Sequence, residues 1–520
     1  MAVLCSRCRG DAAEEQQVTC VMLEGNGCSL CVERAAIRDK IKRLEEEIVK
    51  LRAEYHALGT TANAIHEPFI HKLPPEIGSH IFQLCLPTID PTRLPYYPQK
   101  DLLRTLELGA VCQKWRQLAW ATPNLWQTLS IVAFPKIMRT LAGSWPGLIN
   151  EWLGRSGGLP LTISFVYHRS EFDDPGEFDG ALGGIIDVLT LHSNRWRNLC
   201  LAVDRCTLER LSGSMHLSQL SHLALVVPAR CGKFPAQKFV MKSKPFPTYL
   251  RLENFSPTSI DIGWNNITEA NLSYLTTSEC AEVLRRAPAL EQFHVEEFLT
   301  PDRRTVHVDS SIIHPRIRSL RLPVDARKFL TMINVPALEE WTQDADDEDI
   351  LPLVTAMVSL LQRSSCCLNI LNLQNLPSGQ NRLFTLFKAT PFLERLRIDF
   401  LSTEHGNNEM DNILVQIFYS PPDQYSSHES FLPRLQFLEC GTRFKRDAPF
   451  SWDRIPGLYR LGHRYSLTLK SVTNTSETSD ETAMELLKLV DEGAKFLISD
   501  SFEGGDFLEN LRKKMDMEGR

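Results

Sequence analysis

A hydrophobic phrase, L-x-x-L-x-L after a small residue or proline, recurs through the chain from about residue 134. It reads WRNLCL from Trp196, LSHLAL from Leu220, LEQFHV from Leu290, IRSLRL from Ile317, LNILNL from Leu368, LERLRI from Leu393 and LQFLEC from Leu435. PFPTYLRL, near Leu250, is a poorer copy. Several copies follow a helical piece that ends in proline, as in CAEVLRRAPALEQF and LFTLFKATPFLERL. Neighbouring copies lie mostly twenty-odd residues apart, with a few steps roughly twice as long. One strand and one helix per unit at that period predict a stack in which each unit buries its apolar side against its neighbours.

The spacing resembles that of leucine-rich repeats, although most units lack the consensus asparagine. An irregular solenoid over residues 132–475 is therefore expected, the alternative being an α/β domain with coincidental strands. A stack of this kind lays its strands into one continuous concave surface suited to binding another protein. The acidic run TQDADDED from Thr342 reads as solvated loop. Beyond TNTSETSDE, the amphipathic pieces ETAMELLKLVDEG and DFLENLRKKMD predict a helical tail over 476–520 that caps the array.

The chain has 520 residues, enough for about three units by length. Its net charge of −7 argues against a general nucleic-acid or anionic-membrane binder, which needs a basic surplus. MAVLCSRCRGD turns polar too early for a signal peptide, and no apolar run approaches the ~20 residues of a membrane span. Fourteen cysteines in such a chain are expected to be reduced thiols, which points to the cytoplasm or nucleus.

Five of those cysteines crowd the segment 1–35. Cys5–Cys8 and Cys28–Cys31 form two C-x-x-C pairs with 19 residues between them, a spacing that suits a tetrahedral zinc site. Against it, DAAEEQQ between the pairs has no strand character, and the second pair runs straight into a helix; free thiols are the other reading. The next segment, 36–65, places Ile37, Ile41, Leu44, Ile48, Leu51, Tyr55 and Leu58 at alternating steps of four and three. Gly59 is expected to end this helix. With Ile41 at position a, Lys40 and Glu47 fall at g, and Glu45 and Arg52 at e. In a parallel pair Lys40 faces Glu45 and Glu47 faces Arg52. A homodimer through residues 37–58 is one reading; an amphipathic helix folded onto its own chain is the other.

Residues 66–131 hold HEPFIHKLPPEIGSHIFQLCLPT, a proline-rich loop, and LLRTLELGAVCQKWRQLAWATPNLW. Pro74 and Pro75 stop any upstream helix, and Glu76 supplies negative charge to the first turn of a new one. Ile77, Ile81, Leu84 and Cys85 mark one helical face, with Phe82 beside it. A unit of this size buries only about 60% of its unfolded surface, so it is marginal alone and its leftover apolar face suits a partner. Its dense tryptophans therefore read as core and contact face rather than as a pocket floor.

LPPEIGSHIF followed by VCQKWRQLAWATPNLW resembles an F-box, in the variant of the F-box/leucine-rich-repeat proteins common in mushroom-forming fungi. The resemblance covers about residues 66–131. It implies a roughly three-helix fold that docks on the Skp-type adaptor of a cullin-RING ubiquitin ligase. It departs from the pattern in the long insert Pro87–Pro98. By this resemblance Leu73, Pro74, Ile77, Ile81 and Phe82 are expected on the adaptor-facing surface, and Val111, Cys112 and Trp115 match the second half of the pattern. Trp120 and Trp126 are expected to anchor the box onto the following domain. The whole chain is then mixed α/β: heptad helix, small three-helix box, irregular leucine-rich-repeat-like solenoid.

One motif invites a catalytic reading. GRSGG, residues 154–158, fits the G-x-S-x-G nucleophile elbow. That elbow needs a strand before it and a helix after it, whereas here PGLINEWLG precedes and LPLTISFVY follows. Ser156 is therefore expected to be a turn residue rather than a hydrolase nucleophile. No P-loop, dinucleotide glycine pattern or H-E-x-x-H motif occurs, and no cofactor is expected. The expected function is that of a non-enzymatic substrate receptor, with the box holding the adaptor and the repeats holding a protein substrate. The alternative is a repeat scaffold that binds the adaptor without a role in ubiquitination.

Overall fold

The computed structural model describes residues 29–66, 73–87, 104–141, 143–168, 178–203, 205–216, 218–227, 239–299, 311–345, 350–377, 383–401, 406–419, 431–442, 450–462, 466–473, 479–500 and 506–518. The chain divides into two compact units, residues 1–84 with 106–121, and residues 85–105 with 122–520. The division at 121/122 falls inside the segment 66–131 expected to form one box.

Among the described residues of the larger unit, fourteen strands form one sheet. They are β1 (Thr128–Ala133), β2 (Leu161–Tyr167), β3 (Trp196–Ala202), β4 (His222–Val226), β5 (Tyr249–Glu253), β6 (Glu269–Leu275), β7 (Gln292–Phe298), β8 (Ser319–Leu322), β9 (Glu340–Asp344), β10 (Ile370–Leu376), β11 (Arg395–Phe400), β12 (Phe437–Thr442), β13 (Thr468–Thr473) and β14 (Lys495–Asp500). Their spatial order is their chain order, and every pairing is parallel. All eight copies of the leucine phrase lie on these strands. Of the long gaps in the phrase, Leu250 to Leu290 conceals β6 and Ile317 to Leu368 conceals β9. Among the described residues the gap from Leu393 to Leu435 adds no strand to this sheet: β11 and β12 are direct neighbours, and a helix at Gly406–Tyr419 lies in the connection.

One row of side chains explains the continuity. Leu129, Ile163, Leu199, Leu223, Leu250, Ala270 and Phe293 stand in register across β1–β7. Leu320, Trp341, Leu371, Leu396, Leu438, Leu469 and Phe496 continue it across β8–β14. Every member is buried. Because side chains alternate across a strand, a one-residue slip of any member exposes its apolar set, and this fixes the register.

The residue next along each strand points to the other face. That row begins small, with Ser130, Ser164, Cys200 and Ala224, and turns polar through Arg251, Asn271, His294, Arg321, Thr342, Asn372, Arg397, Glu439 and Lys470. The Arg251 guanidinium meets Glu253 at 3.3 Å and Glu296 at 3.4 Å. Arg397 meets Asp399 at 2.8 Å, and Lys470 meets Glu439 at 3.0 Å.

Three residues at equivalent positions, two after the second inward side chain, hold left-handed backbone: Asn254 (φ 53°), Tyr274 (φ 53°) and Asn375 (φ 56°). At two of them the ladder shifts register, between Ser273 and Leu275 and between Leu373 and Leu376. The asparagine side chains offset the backbone cost by binding the previous strand's exit: Asn254 Nδ2 donates to the Val227 carbonyl at 3.3 Å, and Asn375 Nδ2 donates to Asp344 at 2.9 Å.

The expected helical tail differs in one respect. Helices occur at Asp480–Asp491 and Phe507–Glu518, but β14 lies between them and pairs in register with β13. The alternating apolar positions of KFLISD extend the sheet, so the segment adds a strand to the array.

His314 is buried, with Nε2 3.0 Å from the Ala287 carbonyl and Nδ1 without a hydrogen-bond partner among the described residues. Burial lowers its pKa below the ordinary 6.5. Burial likewise lowers those of His192 and His294. Protonation then favours the unfolded chain, so the stability these groups contribute is full above pH 6.5 and is lost as pH falls below it. The melting temperature is expected to fall between about pH 7 and pH 5, and more shallowly in His314→Asn. Equal slopes in calorimetry of the two proteins would remove His314 from this account.

The smaller unit contains α1 (Ser29–His66) and most of the box helices: α2 (Pro75–Leu84), α3 (Arg104–Val111) and α4 (Gln113–Trp120). Gly59 does not end α1, which runs on to His66. A helix-interior glycine costs only about 1 kcal/mol, and the helix runs on past it with the Thr60 and Thr61 hydroxyls donating to the His56 and Ala57 carbonyls at 2.9 and 3.0 Å.

Candidate functional site

Helix α2 starts where its prolines dictate. The amides of Ile77 and Gly78 both donate to the Pro74 carbonyl, at 3.0 and 3.2 Å, and Glu76 lies in the first turn. Its two faces then separate. Gly78 and Phe82, four apart, are buried. Ile77 and Leu84, on the other side, are exposed, and Ile81 between them is half-buried. The inward face meets α4 closely. A Cβ on Gly78 would lie 2.6 Å from Leu118 Cδ2, and Phe82 packs against Trp115 with ring centroids 4.9 Å apart.

The phrase VCQKWR builds the corner opposite. Cys112 has extended backbone and caps α4, its sulfur accepting from the Trp115 amide at 3.4 Å. Arg116 Nε donates to the Gly109 carbonyl at 2.9 Å, which ties α4 to α3. Val111, at the end of α3, is exposed.

The expected contact residues thus divide. Pro74, Ile77 and Val111 are exposed, and Leu73, Ile81, Cys112 and Trp115 are partly buried. Phe82, expected on the adaptor-facing surface, is 1% exposed here: it lies on the Gly78 side of the helix, roughly 140° round the axis from Ile77. Leu84 and Leu106 add exposed apolar surface beyond the expected set, and Leu84 follows Ile77 and Ile81 at helical spacing. Trp120, expected as an anchor, is 48% exposed. Trp126 belongs to the core of the larger unit, where it meets Trp152 edge-on at 4.7 Å and Arg155 stacks 4.6 Å from its ring. The tryptophans therefore divide between core and surface.

Ser156 follows the helix Trp145–Arg155 as its C-terminal cap and is buried. Its hydroxyl donates to the Leu153 carbonyl at 2.6 Å and accepts from Arg195 at 2.8 Å. His192 Nδ1 lies 3.0 Å from Arg195, and its Nε2 lies 3.1 Å from Asn150. The ring thus faces Arg195 and Asn150, and the serine serves the turn. Among the described residues no group of three or more His, Cys, Asp and Glu side chains is placed to hold a metal ion. Cys5, Cys8 and Cys28 lie outside the described residues, and Cys31 falls in the first turn of α1.

Residues 70–132 match the F-box-like family model. The F-box-like segment thus contains α2, α3, α4 and most of β1, and its last residues join the sheet rather than the helical unit. No curated protein matches the chain significantly.

Proposed function

We propose that the chain is a substrate-receptor subunit of an SCF-type cullin-RING ubiquitin ligase, its F-box-like segment binding the Skp-type adaptor. The observation that carries this is the match over 70–132 on a helix whose apolar residues are split between a packed face and an open one. Leu73, Pro74, Ile77, Ile81, Val111 and Leu84 supply the open apolar surface, and Phe82 with Trp115 holds the backbone that presents it. Interfaces concentrate their energy in a few such anchors.

The sheet acts as an irregular leucine-rich-repeat array that holds a protein substrate. Its outward row of His294, Arg321, Arg397 and Lys470 supports this, since Arg397 and Lys470 are held by the neighbouring carboxylates of Asp399 and Glu439, and charges already ordered cost little on binding. The chain itself performs no chemistry; transfer depends on proximity within the assembly. No described helix is long and apolar enough to cross a membrane, and the site of action is the cytoplasm or nucleus.

Affinity purification with mass spectrometry, with and without proteasome inhibition, tests the proposal. Skp-type adaptor and cullin peptides are expected in both samples, together with clients that accumulate on inhibition. Absence of the adaptor would refute the docking role; adaptor without accumulating clients would leave a scaffold.

A further inference from the structure

Helix α1 is 38 residues long, about 57 Å at 1.5 Å per residue. Every side chain from Val32 to Ala62 is exposed. Ile37, Ile41, Leu44, Ile48, Leu51, Tyr55 and Leu58 stand between 47% and 76% exposed, so none of the described residues covers the stripe. Seven large apolar side chains in one line on a helix are costly in water, and their 4-3 spacing is that of a coiled-coil seam.

We propose that the occupant of this seam is a second copy of the same chain, aligned parallel and in register. Two independent features select it. The first is the seam itself: isoleucine at the central a positions, 41 and 48, and leucine at the central d positions, 44 and 51, is the combination that favours two parallel strands. The second is charge. In a parallel pair each g residue faces the e residue five positions on in the partner. Glu33 then faces Arg38, Lys40 faces Glu45 and Glu47 faces Arg52, and symmetry doubles each attraction. In the antiparallel alternative, with the same a and d layers opposed, e meets e and g meets g. Arg38 then faces Arg52, while Glu45 and Glu47 each face their own copy; only Lys40 with Glu54 attracts. The sequence thus favours one orientation and penalises the other.

Parallel alignment puts both His66 ends together. Only residues 67–74 separate α1 from α2, so two F-box-like segments leave the same end of the coil. If the adaptor-docking reading holds, the dimer is a receptor with two docking modules and two sheets, able to hold a multivalent substrate by avidity.

The test uses the purified full-length chain without adaptor, so its outcome is independent of the docking role. Light scattering over a concentration series is expected to give the mass of two chains. Reversing the e residues together, as Arg38→Glu, Glu45→Arg and Arg52→Glu, makes all six facing pairs repulsive and is expected to weaken dimerisation roughly hundredfold or more. Reversing the g residues, as Glu33→Arg, Lys40→Glu and Glu47→Arg, is expected to do the same. Mixing the two variants restores every attraction and is expected to recover the two-chain mass, which also shows that each variant is folded. A wild-type chain that stays monomeric throughout overturns the proposal. So does an e-reversed variant that dimerises like wild type, because the antiparallel pair keeps the same e–e repulsions after reversal.

Discussion

Ile77→Asp is expected to strip the Skp-type adaptor from the chain while leaving its fold intact. Ile77 is exposed on α2, so the aspartate costs the free protein little, but it places a charge where a partner needs an apolar anchor. Truncating central interface anchors typically costs about 2 kcal/mol or more, and a buried charge costs more, so binding should weaken by roughly thirtyfold or beyond. Phe82→Ala should also lose the adaptor, by a different route. It empties the contact with Trp115 and removes a fully buried ring, at about 3–5 kcal/mol, from a unit too small to spare it. Limited proteolysis separates the two: Phe82→Ala should open the segment to cleavage, and Ile77→Asp should not. An Ile77→Asp chain that keeps the adaptor would move the contact surface off this face.

Trp341→Ala is expected to split the thermal unfolding of the large unit. Trp341 is fully buried on β9, near the middle of the fourteen-strand row, between Leu320 and Leu371. Removing it costs about 3–5 kcal/mol and leaves a cavity that only its neighbours line. In a stacked array, stability is a sum of unit terms and neighbour terms, so a central defect uncouples the two sides. Calorimetry should show two transitions where the wild type shows fewer. A single transition at nearly the wild-type temperature would mean that the sheet is held together by more than adjacent strands.

Strands β6 and β9 show where the sequence stops being legible. The leucine phrase marks a strand when both inward positions carry apolar side chains larger than alanine, as Leu250 and Leu252 do in β5. In β6 the first inward position is Ala270, too small to register as a repeat. In β9 the inward pair is Trp341 and Gln343. Gln343 is fully buried, and its amide nitrogen donates to the carbonyls of Pro323 and Asp344, each at 2.8 Å. A glutamine whose amide nitrogen is held by backbone occupies this core position, although its Oε1 has no hydrogen-bond partner among the described residues, and periodicity alone does not foresee it. The candidate site was legible as a segment, since LPPEIG and VCQKWR lie where the helices form. The inward face was harder to read. Ile77 and Phe82 are both apolar residues of one helix, and the clue separating them is Gly78, the small residue one turn before Phe82 that lets α4 approach. Gly59 misled in the other direction, because a glycine within a helix can be tolerated as well as terminal.

The strict chain order of the fourteen strands bears on how the protein is made. Each strand finds its partner in the segment synthesised just before it, so β1 to β13 can form in sequence while the remainder is still being translated. At every stage the newest strand offers a bare row of amides and carbonyls, the kind of edge that recruits stray strands from other chains. At β14 that edge meets the isolated antiparallel bridge of Ser499 with Asp506, where the chain turns back into the helix Phe507–Glu518. Premature termination anywhere in the last third of the message is thus more hazardous than loss of the same length from the first helix: it releases a folded fragment with an open, adhesive edge.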